Sequence, residues 1–343
     1  MVPLAPSTPP VPPVGELLDA LRVVAVPMRV RFRGVTTREV ALVEGPRGWG
    51  EFGPFPEYAP EEAARWLASA VESAWGEWPQ PLRATVPVNA TVPAVAPELV
   101  AGVLARFPGC TTAKVKVAEP GQSLAEDVAR VAEVRAVMGP AARVRVDANG
   151  AWSVGDAVEA LRRLATSDLE YAEQPCATVE DLRELRMALA RKGIDVPIAA
   201  DESIRRAEDP MLVRDLEAAD LVVVKVAPLG GVAAALSVVE ACGLPAVVSS
   251  ALETSIGIAA GVALAAALPS LDHACGLGTV ALLDGDVAAP SLVPVEGALP
   301  VGRVAPDPAL LDRWAAAPER VEWWRDRAAA CHALLVGRGK ECP

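Results

Sequence analysis

ARVRVDAN at residues 142–149, LEYAEQP at 169–175 and VPIAADES at 196–203 decide the fold. Each is a short apolar run ending at a carboxylate, Asp147, Glu173 or Asp201. The unit recurs outward in both directions: TTAKVKV (111–117) precedes these segments, and ADLVVVKVA (219–227), PAVVSS (245–250) and HACGLGTV (273–280) follow. Between them lie amphipathic stretches of helical period, beginning near Leu124, Val154, Val179, Pro210, Gly231 and Ser255. Strict alternation of this kind predicts an α/β fold of parallel strands covered by helices.

An open doubly wound sheet alternates in the same way, so the placement of polar residues has to separate the two architectures. Lys114 and Lys116 lie in the first strand, Asp147 and Asn149 close the second, and Glu173, Asp201 and Lys225 close the next three. Ser249 and Ser250 close the sixth. In a closed barrel the carboxyl ends of the strands converge on one mouth, where barrel active sites are built. An open sheet spreads them along an edge, with only its switch point useful. The expected fold is therefore a modified, TIM-like (β/α) barrel spanning residues 101–290.

The flanking sequence differs in texture. Residues 1–14 are proline-dense and read as a flexible leader. Residues 15–100 form a smaller lobe, with two strands over 21–45 and the amphipathic helix EEAARWLASAVESAW over 61–75. Between them GWGEFGPFPEY (48–58) is rich in glycine, proline and aromatics and reads as a loop. Alternation stops after residue 290, and the tail 291–343 is expected to pack back on the N-terminal lobe.

Bulk properties exclude several classes. A net charge of −12 argues against nucleic acid, whose phosphates need a basic surface. Six scattered cysteines without a C-x-x-C pair read as reduced thiols of a cytoplasmic protein, and with only two histidines a zinc site is not expected. The apolar run Ile256–Leu268 is too short for a membrane span, and the N-terminus lacks the pattern of a signal peptide.

The strand-end residues point to a chemistry. Adjacent strands lie roughly 5 Å apart, so Asp147, Glu173 and Asp201 would crowd and repel one another in a low-dielectric barrel end. A divalent cation relieves the conflict, and an all-oxygen set without Cys or His points to Mg²⁺. The plainer reading makes each carboxylate the N-cap of the helix that follows; three in consecutive strands weigh against it. Lys114 and Lys116, two apart, share one side of their strand, and Lys225 sits in a run apolar enough to be buried. Snorkelling or simple salt bridges would explain them too. The functional reading places Lys116 and Lys225 on opposite sides of the metal, with pKa values depressed by neighbouring cations and desolvation so that a neutral amine base is available. Base and metal together suit removal of a proton α to a carboxylate, because the metal stabilises the enediolate charge.

With KVKV, VDANGAW, YAEQP, AADES and VVVKVAPLGG in this order, the chain resembles the muconate-lactonising subgroup of the enolase superfamily over about residues 20 to 300. PMRVRFRG (27–34), GWGEFGPFPEY, Arg145 and SSALETSIG (249–257) tilt the resemblance toward the members that eliminate water from a succinyl-bearing hydroxycyclohexadiene carboxylate in menaquinone biosynthesis. The resemblance implies an α+β capping domain built from both chain ends. It implies Asp147, Glu173 and Asp201 as Mg²⁺ ligands, with Mn²⁺ able to substitute. Lys116 would take the α-proton and help hydroxide leave, Lys225 would stabilise the enediolate from the opposite face, and Lys114 would tune Lys116. The substrate would be a small dicarboxylate. Ser249 and Ser250 would hold its succinyl tail or cap a helix, and Phe55, Arg29 and Arg31 would line a lid, unless the arginines belong to a solvated loop. Asn149 would support the metal shell and Arg145 would orient the site. Sibling activities stay open: racemisation of N-succinyl amino acids, and epimerisation of dipeptides, for which relatives carry an Asp-x-Asp near the position of Asp284 and Asp286. A Schiff-base aldolase and a non-catalytic binding protein are the rivals outside the superfamily. Oligomeric state is not readable from the sequence.

Overall fold

The computed structural model describes residues 9–32, 34–205 and 210–341. The chain opens with a three-stranded antiparallel sheet of β1 (Leu21–Phe32), β2 (Val35–Gly45) and β3 (Gly48–Phe52), in that spatial order. The helix Pro60–Trp75 covers it, burying Ala63, Ala64, Trp66, Leu67, Ala70, Val71 and Ala74, the three-and-four spacing of one helical face. β3 falls within the segment whose composition reads as a loop. Gly50 serves packing instead: a Cβ there would lie 2.0 Å from the Ala70 carbonyl oxygen, so only glycine lets helix and strand approach this closely.

The second body is a curled parallel sheet. Its strands are β5 (Ala90–Val92), β6 (Thr112–Lys116), β7 (Arg143–Asp147), β8 (Leu169–Glu173), β9 (Ile198–Ala200), β10 (Leu221–Val224) and β11 (Ala246–Val248), in the order β11-β10-β9-β8-β7-β6-β5. Two short strands, β4 (Thr85–Pro87) and β12 (Ala298–Pro300), pair antiparallel beside it. The gap between the two edge strands is spanned by Cys275 and Gly276. Cys275 N–H donates to Pro87 (2.8 Å), Asn89 N–H donates to Cys275 (2.9 Å), and Gly276 N–H donates to Val248 (2.8 Å). The ring closes there, as the expected barrel requires. Three residues of β5, bracketed by Pro87 and Pro93, are too few for a pattern, and the alternation was legible only from residue 111.

Nearly every residue of β6 to β10 is buried, on both faces, as expected for strands with side chains in the lumen and helices outside. The helix Pro318–Glu341 returns to the N-terminal sheet, where Trp324 and Cys331 join the core formed by Leu17, Phe52, Trp66 and Leu67. His332 meets the Pro12 carbonyl at 2.8 Å. Residues 1–8 of the proline-rich leader lie outside the described residues, as does Cys342. The other five cysteines are free thiols. No helix among the described residues is long and apolar enough to cross a membrane.

Candidate active site

The barrel's strand register sets the site. Lys116 pairs with Asp147 across β6 and β7, and Asp147 pairs with Glu173 across β7 and β8, so the three residues occupy one level at the carboxyl ends. Asp201 follows β9 and Lys225 follows β10. The three carboxylate-bearing strands therefore lie between the two lysine-bearing strands. Asp147, Glu173 and Asp201 are each at most 1% exposed, and Lys114, Lys116 and Lys225 are buried with them.

The helix-cap reading fails for Asp147 and Glu173, because the helices after β7 and β8 are capped by the hydroxyls of Ser153 and Thr178. Asp201 directly precedes the helix Glu202–Arg205, but its carboxylate is turned to Lys225 and Arg205. The helix after β11 is capped by Thr254, not by Ser249 or Ser250. The carboxylates face cations instead. Lys114 Nζ donates to Glu173 Oε1 (2.7 Å) and Oε2 (2.9 Å) and lies 3.4 Å from Asp147 Oδ2. Lys116 donates to Asp147 and to Asn149 Oδ1 (2.8 Å), and its ammonium lies 5.3 Å from the centroid of the Phe32 ring. Lys225 donates to Asp201 Oδ2 at 2.5 Å, and Arg205 donates to Asp201 Oδ1 at 3.1 Å.

Burial, with repulsion from Asp147 added, pushes Glu173 up to about 7 against the pull of Lys114. Burial would raise Asp201 as well, but Lys225 and Arg205 outweigh it and hold that carboxyl at about 2. The pKa of Lys114 is raised. Desolvation does favour the neutral amine, but the carboxylates of Glu173 and Asp147 outweigh it and raise the pKa. Lys114 is a fixed cation in this arrangement.

Among the described residues, no three Asp, Glu, His or Cys side chains are gathered as ligands around one point. Each carboxylate is turned to a lysine or arginine. The donor set nevertheless fits a hard divalent cation: three carboxylates, buried, on adjacent strands, with no nitrogen or sulfur ligand nearby. The ammonium groups occupy the same oxygens a metal would use, and they meet the same electrostatic demand.

Phe55, Phe32, Lys114, Lys116, Asp147, Arg205 and Lys225 line a cavity with Ser249, Ser250, Leu252 and Thr279; its free volume is about 40 Å³. Of the residues expected there, Ser249 and Phe55 face it directly. Ser250 faces it too, but its hydroxyl is committed to the Gly276 carbonyl (2.7 Å) and to Thr279 (2.8 Å), tying the closing segment to β11. Asn149 bonds Lys116, with its backbone at φ 49°.

Three expected residues lie elsewhere. Arg145 sits one layer beneath, where it pairs in register with Lys114, donates to Glu170 (2.5 Å) and the Ala274 carbonyl (2.6 Å), and stacks on Tyr171. Arg29 is about half exposed and pairs with Asp284 at 2.9 Å, outside the cavity. Arg31 is exposed as well. The Asp-x-Asp of the dipeptide-epimerising relatives has no counterpart in the cavity, because Asp286 is buried at the N-terminus of the helix Ser255–Ala267, where it accepts from the Ser255 amide at 3.1 Å.

The sequence reading missed Arg205, although its place four residues after Asp201, on a helical turn, is the spacing of an ion pair. It also missed Leu252 within SSALETSIG, and Arg38, which carries no motif and lies behind the cavity wall on the Leu252 carbonyl.

Comparison with known proteins agrees with this geometry. Residues 98–306 match the "Enolase C-terminal domain-like" family and residues 23–74 the "Enolase N-terminal domain-like" family. The o-succinylbenzoate synthase of Mycobacterium tuberculosis (strain ATCC 25618 / H37Rv) is 59% identical over 96% of this chain and 98% of its own. That of Mycobacterium ulcerans (strain Agy99) is 60% identical over 94% of this chain and 96% of its own. In fold the chain is similar to the muconate lactonizing enzyme of Pseudomonas putida, with a TM-score of 0.70 at 20% identity, covering 86% of this chain and 98% of that one. The chain belongs to the o-succinylbenzoate synthase family, in the muconate-lactonising branch of the enolase superfamily.

Proposed function

We propose that the chain is a Mg²⁺-dependent hydro-lyase that dehydrates 2-succinyl-6-hydroxy-2,4-cyclohexadiene-1-carboxylate to 2-succinylbenzoate, a step of menaquinone biosynthesis. One observation carries the reading: Lys116 and Lys225 stand on the two strands that flank three successive carboxylate strands. A planar intermediate lying over the carboxylates would have one amine on each face. Asp147, Glu173 and Asp201 would hold the ion. Bound there, it would draw charge off the substrate carboxylate and make the α-proton acidic enough to remove.

The chain's own groups do the rest. With Asp147, Glu173 and Asp201 holding the ion, Lys116 would be released from Asp147 and would serve as base on one face. The same amine, now protonated, returns its proton to the departing hydroxide, so the proton and the hydroxide leave together as water and the ring becomes aromatic. Lys225 stays protonated on the other face and stabilises the enediolate. Lys114, beneath, favours the ionised form of Glu173 against its burial and adds a positive field to the Lys116 amine. Phe55 and Phe32 exclude water from the reacting face, and Ser249 offers a hydroxyl to the succinyl carboxylate.

The test is a direct assay of the cyclohexadiene substrate beside N-succinyl amino acids and dipeptides. Dehydration should be the dominant activity. Turnover of an N-succinyl amino acid or a dipeptide with no dehydration would overturn the assignment in favour of a racemase or an epimerase. The burial of Asp286 argues against the epimerase.

A further inference from the structure

We propose that Arg38, on β2 of the capping sheet, is a positioning residue that locks the two walls of the substrate cavity together and thereby sets substrate affinity. Arg38 is 2% exposed and does not line the cavity. Its Nε donates to the Leu252 carbonyl at 3.1 Å, across to the barrel, and its Nη2 donates to the Gly53 carbonyl on the capping side. Its Nη1 is held by the Glu39 carbonyl at 3.3 Å. The guanidinium also lies 4.7 Å from the centroid of the Phe55 ring. Phe55 and Leu252 both line the cavity, one from each body. A single planar cation thus braces two wall residues that lie far apart in the sequence.

The cost of this arrangement argues for a purpose. A buried guanidinium is expensive unless its donors are met, and here they are met by backbone carbonyls of the wall segments. Leu252 holds φ 65°, a strained conformation for a branched side chain, and its carbonyl is the one that accepts from Arg38 Nε. The bracing extends to the carboxylates at the barrel mouth. Phe55 packs edge-on against Tyr58 with centroids 5.6 Å apart, and the Tyr58 hydroxyl accepts from Arg205, which holds Asp201. Lysine in place of Arg38 would reach one carbonyl but would lack the planar fork that serves both and stacks on the ring.

The consequence for catalysis rests on the dehydratase reading, whereas the bracing itself does not. Substrate binding uses the walls and proton transfer uses the lysines, so loss of Arg38 should act on KM more than on kcat. Arg38→Met keeps the length and removes the donors. It should raise KM about tenfold or more with kcat changed less than about threefold, and Arg38→Lys should fall between Met and wild type. A kcat loss with KM unchanged would overturn the catalytic consequence. Hydrogen exchange reads the bracing without any substrate. In Arg38→Met, protection should fall at residues 53–58 and at 250–254 together, while β6 to β8 stay protected. Unchanged exchange in either wall segment would overturn the proposal, as would a uniform loss throughout the chain, which marks general destabilisation. Failure of the wild-type protein to dehydrate the cyclohexadiene would count against the functional reading alone, because the exchange experiment still decides the bracing.

Discussion

Glu51, on the capping strand β3, accepts hydrogen bonds from both the amide (3.1 Å) and the hydroxyl (2.6 Å) of Thr254, the residue that caps the first barrel helix after β11. It also accepts from the Gly257 amide at 3.0 Å. Glu72, on the capping helix, does the same for the preceding barrel helix, accepting from the Ala233 amide at 3.0 Å and from the Val232 amide. The capping domain is thus seated on the barrel by two carboxylates, each placed at the positive end of a helix where orphan amides need acceptors.

Glu51 makes that seat pH-dependent. Burial, reinforced by the Glu253 carboxylate, raises it from 4.5 to about 8, and Arg38 and the three donors only partly offset this. A carboxyl with a folded pKa above its unfolded one binds a proton more tightly when folded. Its contribution is fully present below pH 4.5 and is lost as pH rises through about 8. Urea midpoints should fall across that window, and Glu51→Gln, which cannot titrate, should flatten the fall. A slope unchanged by the substitution would assign the titration to another group.

Glu170 carries the opposite slope. Although burial opposes it, hydrogen bonds from His273 (2.8 Å) and Arg145 (2.5 Å) outweigh burial and hold its carboxyl at about 2. The stability this supplies is present above the unfolded pKa of 4.5 and disappears as pH falls toward 2, on the order of 3 kcal/mol in full. Acid denaturation of Glu170→Gln should begin from a lower stability at neutral pH and show a shallower acid limb. Equal acid limbs in variant and wild type would show that Glu170 does not drive the transition.

The metal reading predicts a competition. In the structure the lysines neutralise the carboxylates, so an incoming divalent ion has to displace ammonium groups. Activity should vanish with EDTA and return with Mg²⁺ or Mn²⁺. Calorimetry should show Glu173→Gln binding Mg²⁺ more weakly, since a charged oxygen ligand is replaced by a neutral amide. Full turnover in metal-free buffer would end the reading.

How much of this was visible in the sequence follows from the kind of signal each residue carries. Asp147, Glu173, Asp201 and Lys225 are polar residues at the ends of apolar runs, and such breaks are legible because strand period and burial are local properties. β3 was hidden because Gly50 looks like a turn residue when its purpose is close approach to the helix Pro60–Trp75. Arg145 was seen on the right side of its strand, but depth in the barrel depends on register with Tyr171 and on the closing segment at Ala274, and no local pattern reports either. The pairing of Lys114 with Glu173 was out of reach for the same reason, because which carboxylate each lysine reaches is a matter of side-chain geometry.

The last prediction separates the two lysines. Lys116 and Lys225 reach the site from strands on opposite sides of the carboxylates, and in the proposed mechanism each would address one face of a planar intermediate. Elimination on one face needs one base and, opposite, a fixed cation. Lys116→Ala should remove dehydration by about 10²–10⁴-fold or more, the usual loss when a general base is deleted. Lys225→Ala should be severe as well, but through lost stabilisation of the enediolate charge. Turnover alone does not tell these apart, whereas solvent deuterium exchange at the α-carbon of an N-succinyl amino acid does. Exchange needs only proton transfer, and the two enantiomers present their α-hydrogens to opposite amines. Lys116→Ala should stop exchange with one enantiomer and spare the other, and Lys225→Ala should do the reverse. Dehydration at the wild-type rate by Lys116→Ala would show that the base lies elsewhere, and loss of exchange with the same enantiomer in both variants would place both amines on one face, against the arrangement described here.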